Sequence, residues 1–148
     1  MRRIDFRVGG KSMTEVTASH VMERDVFSCG GETSCDDMAE TLVKEGFGSL
    51  PIVEDDSTLI GLVSEYDILD ALMKGKYLLK TPASEVMTQP VVSINESTPI
   101  KEVIALLQSR HLIRVPVVDH EGRLIGLVAR RDIIGCYLET SLGPQPVF

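Results

Sequence analysis

Tryptophan is absent from this chain, aromatic residues make up only 5% of it, and cysteine occurs three times. A core must therefore be built from aliphatic side chains, with little area supplied by large rings. Cys29, Cys35 and Cys136 are odd in number, and no two stand at the two-residue gap of a zinc or redox motif. They read as free thiols, and no metal site is expected. Cations are also in short supply, with 15 Lys and Arg against 22 Asp and Glu for a net charge of -7. Counterion release needs clustered cations, so no nucleic-acid partner is expected, although a locally basic pocket is still allowed. No apolar run approaches the roughly 18 residues that mark a spanning helix. The first residues, Met1 to Arg7, lack the apolar stretch of a secretory signal. The expectation is a cytoplasmic protein with no membrane partner.

What the chain does have is repetition. Leu59-Ile60-Gly61-Leu62-Val63-Ser64-Glu65-Tyr66-Asp67-Ile68 recurs 65 residues later as Leu124-Ile125-Gly126-Leu127-Val128-Ala129-Arg130-Arg131-Asp132-Ile133. The same offset, without a gap, pairs Val21 with Val86, Met22 with Met87, Ser28 with Ser93, Leu42 with Leu107 and Pro51 with Pro116. Such a period means two copies of one supersecondary unit, each too small to bury its apolar face alone.

Both copies give the same order of signals. Short β-like runs at Val26-Phe27-Ser28 and Val91-Val92-Ser93 precede a polar turn. Then Cys35, Met38, Ala39 and Leu42, and in the second copy Ile100, Val103, Ile104 and Leu107, stand at the spacing of one helical face. Ser34 with Asp37 predicts a capping box, and Thr98-Pro99 an N-cap followed by proline at the first helical position. Leu50 to Val53 and Val115 to Val118 read as buried strands. They return through polar turns into Leu59 to Val63 and Leu124 to Val128. Pro51 and Pro116 lack an N–H, which predicts that their strands lie at an edge or leave the ladder there. A last helix begins near Glu65 and Arg130. Residues 1–17 fall outside the repeat. Their alternation at Ile4, Phe6 and Val8 suits a short strand, and they read as an arm that pads the core or swaps onto a partner, or as a poorly ordered end, the commoner outcome.

In their order and doubled spacing, these weak motifs resemble a tandem pair of CBS domains, the cystathionine-β-synthase-like regulatory module. The boundaries that follow are an N-terminal extension over 1–17, a first repeat over 18–74, a linker over 75–82, a second repeat over 83–139 and a tail over 140–148. The resemblance implies an α+β fold of two pseudo-symmetric β-α-β-β-α repeats packed through their sheets, with two clefts. It also implies binding of adenosine-containing ligands such as AMP, ADP, ATP or S-adenosylmethionine, and pairing of modules into a homodimer. No cofactor is required on this reading, an adenine nucleotide being a regulatory ligand, and no catalysis is implied.

The family's ligand motif, glycine followed at fixed spacing by Ser or Thr and then Asp, is matched by Gly61, Ser64 and Asp67. A carboxylate at Asp67 can accept from both ribose hydroxyls, and Ser64 with the helix N–H groups can face a phosphate. The competing reading makes Ser64 an N-cap and Asp67 an acidic residue complementing the helix dipole. In the second copy Asp132 is kept while Ala129 replaces the hydroxyl, and Arg130 or Arg131 can substitute for it as a phosphate fork or simply be solvated. Arg114, two residues before Pro116, matches a position where nucleotide-binding members often carry a basic residue; a snorkelling surface Arg is the alternative. The expected ligand set is Ser64, Asp67, Arg114, Pro116, Arg130, Arg131 and Asp132. Coulombic preference alone then makes the second copy the one that favours more phosphate.

Two functions from different classes follow. One is an adenine-nucleotide sensor whose occupancy shifts packing. The other is a dimerisation or interaction module for an unidentified protein target, with no small-molecule ligand. A thiol enzyme is a third, poorly supported reading, since no base or orienting group can be identified beside any cysteine.

Overall fold

The computed structural model describes residues 13 to 140. In chain order its elements are helices α1 (Ala18–Val21) and α2 (Cys35–Glu45), strands β1 (Ser49–Val53) and β2 (Leu59–Ser64), and helices α3 (Glu65–Met73) and α4 (Ala83–Val86). Strand β3 (Ile94–Asn95), helix α5 (Ile100–Ser109), strands β4 (Arg114–Val118) and β5 (Leu124–Ala129) and helix α6 (Arg130–Thr140) complete it. The fold is mixed, with two small sheets and helices, as expected. The alternation at Ile4, Phe6 and Val8 and the tail beyond Thr140 lie outside the described residues.

The chain forms two compact units, and each takes pieces from both copies of the repeat. The middle unit comprises residues 27–91 with 121–124; of the described residues, the outer unit comprises 13–26, 92–120 and 125–140. The short helical turn that leads into each copy is therefore packed with the body of the other.

In the middle unit the stripe on α2 is buried at Cys35, Met38 and Leu42, against Leu50, Ile52, Val63, Ile68 and Ala83. Ser34 caps α2 by accepting from Asp37 N–H at 3.1 Å, which is one half of the expected box. The helix stops at Gly46, whose φ of 70° is the left-handed conformation that favours glycine. Strands β1 and β2 pair antiparallel, with Leu50 opposite Val63 and Pro51 opposite Leu62. The two hairpin loops also meet in this unit, Leu59 N–H donating to Gly122 C=O and Leu124 N–H to Ser57 C=O.

The outer unit buries Val103, Leu107 and Ile100 of α5 with Val115, Val117, Val128, Ile133 and Cys136. Met13 and Val16 join this core, so the described end of the N-terminal extension pads it. Its sheet runs β3, β4, β5.

Three local expectations are corrected. The short strands lie later than 26–28 and 91–93: Ile94 and Asn95 pair parallel with Val117 and Val118, and in the first copy Cys29 alone bridges Ile52. The reason is burial, because Ile94 reaches the core while Phe27 is half exposed. The second correction concerns proline. Strand β1 belongs to a two-stranded sheet, whereas β4 is central in its sheet. The parallel pairing of β4 with β3 involves Val117 and Val118 and not Pro116, so the ladder is left at the proline rather than the strand lying at an edge. The first copy shows how this is tolerated: Cys29 N–H donates to Pro51 C=O at 3.0 Å and Val53 N–H to Cys29 C=O at 2.8 Å, so the parallel pairing begins where no proline N–H is needed. Finally, α5 is capped by Pro99 with φ -60° and ψ 143°, one residue later than predicted. Thr98 is drawn away because its hydroxyl accepts from Asn95 N–H at 3.2 Å.

Candidate functional site

The strand-to-helix junction of each copy forms a small ledge. In the middle unit it is built by β2 running into α3. Ser64 is the N-cap, its Oγ accepting from Asp67 N–H at 3.2 Å, while Asp67 Oδ2 accepts from Ser64 N–H at 2.7 Å and from Ser64 Oγ–H at 3.0 Å. The helix's first N–H, on Glu65, is taken by Gly48 C=O at 3.1 Å, so fewer donors face outward than the sequence suggested. Thr88, beyond α4, adds its hydroxyl to the same carboxylate, 3.3 Å from Oδ1. Ser49, opposite Ser64 in the sheet, is buried beneath the ledge.

The glycine ahead of this motif serves packing. A Cβ on Gly61 would meet the side chain of Met87, and one on Gly126 would meet Met22 Sδ at 2.8 Å and Glu23 C=O at 2.9 Å. Each glycine thus lets the lead-in segment lie against the strand. Thr88 and Leu62 exchange both backbone bonds, at 2.8 and 3.2 Å, and Glu23 and Leu127 exchange theirs at 2.8 and 3.0 Å. Thr88 and Glu23 extend their sheets in equivalent places.

In the outer unit the ledge is formed by β5 and α6. Asp132 accepts from Ala129 N–H at 2.8 Å and is only 7% exposed. Arg130 N–H is taken by Ile113 C=O at 2.9 Å, matching Glu65 and Gly48. Arg114, half-buried at the start of β4, has its guanidinium pushed down by burial, while the Asp132 and Glu23 carboxylates hold it up. Arg114 thus stands in the field of the Asp132 and Glu23 carboxylates, and these three occupy the positions that Ser49, Asp67 and Thr88 hold in the first copy. Pro116 is buried within β4. Arg131 is exposed on the first turn of α6. Arg130 lines an open groove of about 560 Å³ between α5 and α6, together with His111, Leu107 and Ile134.

Sequence reasoning thus singled out Ser64, Asp67, Arg114 and Asp132, which the structure brings to two ledges, and missed Thr88 and Glu23. Their signal was available, since the offset of 65 sets Glu23 against Thr88 directly after the repeated Val-Met pair. Burial pushes all three cysteine thiols up, with Asp37, Glu85 and Glu139 reinforcing it at Cys29, Cys35 and Cys136 respectively. That is the opposite of an activated nucleophile. Among the described residues no cluster of three or more His, Cys, Asp or Glu side chains is placed to hold a metal. Nor is any described helix long and apolar enough to cross a membrane.

The family description that matches this chain is the CBS domain, over residues 18–74 and again over 83–139. An uncharacterized protein of Methanopyrus kandleri is 30% identical over 123 residues, covering 82% of this chain and 63% of its own length. An inosine-5'-monophosphate dehydrogenase of Thermoplasma acidophilum is 32% identical over 77% of this chain, but only 22% of the dehydrogenase is matched. The chain thus spans less than two thirds of either relative. Among solved structures, CBSX2 in complex with AMP superposes with a TM-score of 0.74 at 30% identity, covering 83% of this chain and 96% of the other. The CBS domain pair of protein MJ0100, in complex with 5'-methylthioadenosine and S-adenosyl-L-methionine, has a TM-score of 0.74 at 25% identity, covering 85% and 98%.

Proposed function

Because this chain belongs to the CBS domain family and carries the domain twice, we propose that it is a regulatory module that binds adenosine-containing ligands and has no catalysis of its own. The observation that carries the reading is the state of Asp67. Its Oδ2 is committed to the helix cap, whereas Oδ1 takes one long contact from Thr88 and keeps acceptor capacity for a ribose hydroxyl. AMP with CBSX2, and S-adenosylmethionine and methylthioadenosine with the MJ0100 pair, support the ligand class. ADP and ATP belong to the same class. Where the ligand carries phosphate, its contacts would come from Ser64 at the first ledge, while at the second Arg114 and Arg131 are the cations within the expected ligand set. A cytoplasmic setting suits both that ligand class and three free thiols.

Binding regulates only if the ligand prefers one arrangement of the protein over another. Calorimetric titration of ligand-free protein with AMP, ADP, ATP and S-adenosylmethionine tests the proposal. Heat with at least one, abolished or weakened in Asp67→Ala or Asp132→Ala, is the expected result; no heat with any of the four rejects it.

A homodimer is the second part of the reading. Leu69, Leu72 and Met73 of α3 are exposed, and 65 residues on, Ile134, Tyr137 and Leu138 of α6 expose the same three positions. Duplicated apolar faces suit a second copy of the chain, which presents the same pair. An unidentified protein target bound on these faces, without any nucleotide, is the alternative, and it predicts association unchanged by Asp67→Ala and Asp132→Ala.

A further inference from the structure

We propose that Glu23 sets the charge preference of the Asp132 ledge, so that this ledge takes a phosphate-free adenosine derivative, neutral or cationic, ahead of a nucleotide. The inference rests on the reading of the ledges as adenosine sites and deepens it. Four positions define the contrast: Ser49, Ser64, Asp67 and Thr88 in the middle unit correspond to Arg114, Ala129, Asp132 and Glu23 in the outer one. Both hydroxyls that serve the first carboxylate are gone from the second, and one cation and one further anion have arrived together.

Glu23 is placed to act. Its backbone is bonded to Leu127 as that of Thr88 is to Leu62, so its side chain leaves the sheet at the equivalent point. From that point Thr88 reaches Asp67. Arg114 lies within the field of both Asp132 and Glu23. Both carboxylates thus act on one half-buried guanidinium, in a partly desolvated place where charges are weakly screened.

A phosphate approaching Arg114 must displace Glu23 or stand beside its carboxylate. Like charges so placed oppose binding. A ribose needs only the Asp132 carboxylate, and a cationic group on the ligand is favoured. The sequence expectation that this copy favours more phosphate counts Arg114, Arg130 and Arg131 alone. Glu23 offsets the first of these, Arg130 lines the groove between α5 and α6, and Arg131 is solvent-exposed, where its charge is screened.

The test uses the full chain carrying Asp67→Ala, which silences the first ledge, and measures adenosine and AMP affinities by calorimetry with and without Glu23→Thr or Glu23→Gln. With Glu23 present, adenosine is expected to bind about tenfold more tightly than AMP, and either substitution should raise the ratio of AMP to adenosine affinity about tenfold. Circular dichroism and urea unfolding show that each variant is folded, and Glu23→Gln keeps the side-chain shape if Glu23→Thr disturbs it. AMP binding as tightly as adenosine in the Asp67→Ala protein, or a ratio unmoved by both Glu23 substitutions, overturns the inference. Loss of all binding in Asp67→Ala overturns it too. If the unsubstituted protein still binds AMP in that case, the broader function stands without it.

Discussion

Thr88 Oγ1 stands 3.3 Å from Asp67 Oδ1, across 21 residues of sequence. The second copy's lead-in segment thereby completes the polar lining of the first copy's ledge. Asp67 has two tasks there, closing the helix cap with one oxygen and facing outward with the other. Asp67→Asn should separate them. Loss of the charged cap should lower stability by about 1 kcal/mol in urea unfolding. Loss of the anionic acceptor should weaken adenosine binding about tenfold or more in calorimetry. A variant that loses stability but keeps its affinity would make Asp67 a capping residue only.

Two glycines of this chain should respond to alanine in opposite directions. At Gly126 a methyl group meets Met22 and the backbone carbonyl of Glu23, which cannot turn aside as a flexible side chain can. Gly126→Ala should cost about 1 to 3 kcal/mol. Gly135, inside α6, has nothing within 4 Å of the new methyl, so Gly135→Ala should stabilise by about 0.5 to 1 kcal/mol through helix propensity. Urea midpoints of the two variants check both signs.

Stability should also fall in alkali. Burial raises the thiols of Cys29, Cys35 and Cys136 above their ordinary value of 9.0 in the folded protein. As pH rises past that value the unfolded chain releases these protons first, so the folded state loses stability until its own higher pKa values are passed. Urea unfolding at pH 7 and pH 10 should show the decline, reduced in a triple Cys→Ala variant. At pH 8 the folded protein should react with iodoacetamide far more slowly than the unfolded chain.

The apolar faces of α3 and α6 give a test of self-association. Met73 and Leu138 are 87% and 69% exposed, so replacing both by Glu should leave the urea midpoint within about 0.5 kcal/mol of the parent under conditions where both are monomeric. In analytical ultracentrifugation the same variant should be monomeric where the parent is a dimer. A parent that sediments as a monomer at every concentration removes the homodimer.

Periodicity made the helices and hairpins legible. The stripe from Cys35 to Leu42 and its counterpart from Ile100 to Leu107 are buried where the 3.6-residue pattern put them. Short pairings were not legible, because one bridge at Cys29 leaves no alternation in sequence, and its position is set by which residue reaches the core. At the ledges, residues adjoining the glycine motif could be read, since spacing alone brings Ser64 and Asp67 together on a helix start. Thr88 and Glu23 arrive from elsewhere in the chain, and comparison of the copies compares like with like without showing that the lead-in segments have changed places. The same exchange hid from the sequence that Arg114 lies in the field of Glu23 as well as Asp132.

That exchange also orders the events of synthesis. A ribosome releasing this chain delivers nearly all of the middle unit, residues 27–91, as one continuous stretch that can close on itself. The segment from Met13 to Val26 is made before the middle unit, yet has to wait for elements from α5 to α6, made after it, before Val16, Val21 and Met22 join their core. Truncation before α5 would leave the apolar side chains of Met13, Val16, Val21 and Met22 without the partners of their core. A nascent chain stalled past Val91 should therefore resist protease within residues 27–91 while residues 13–26 are still cut.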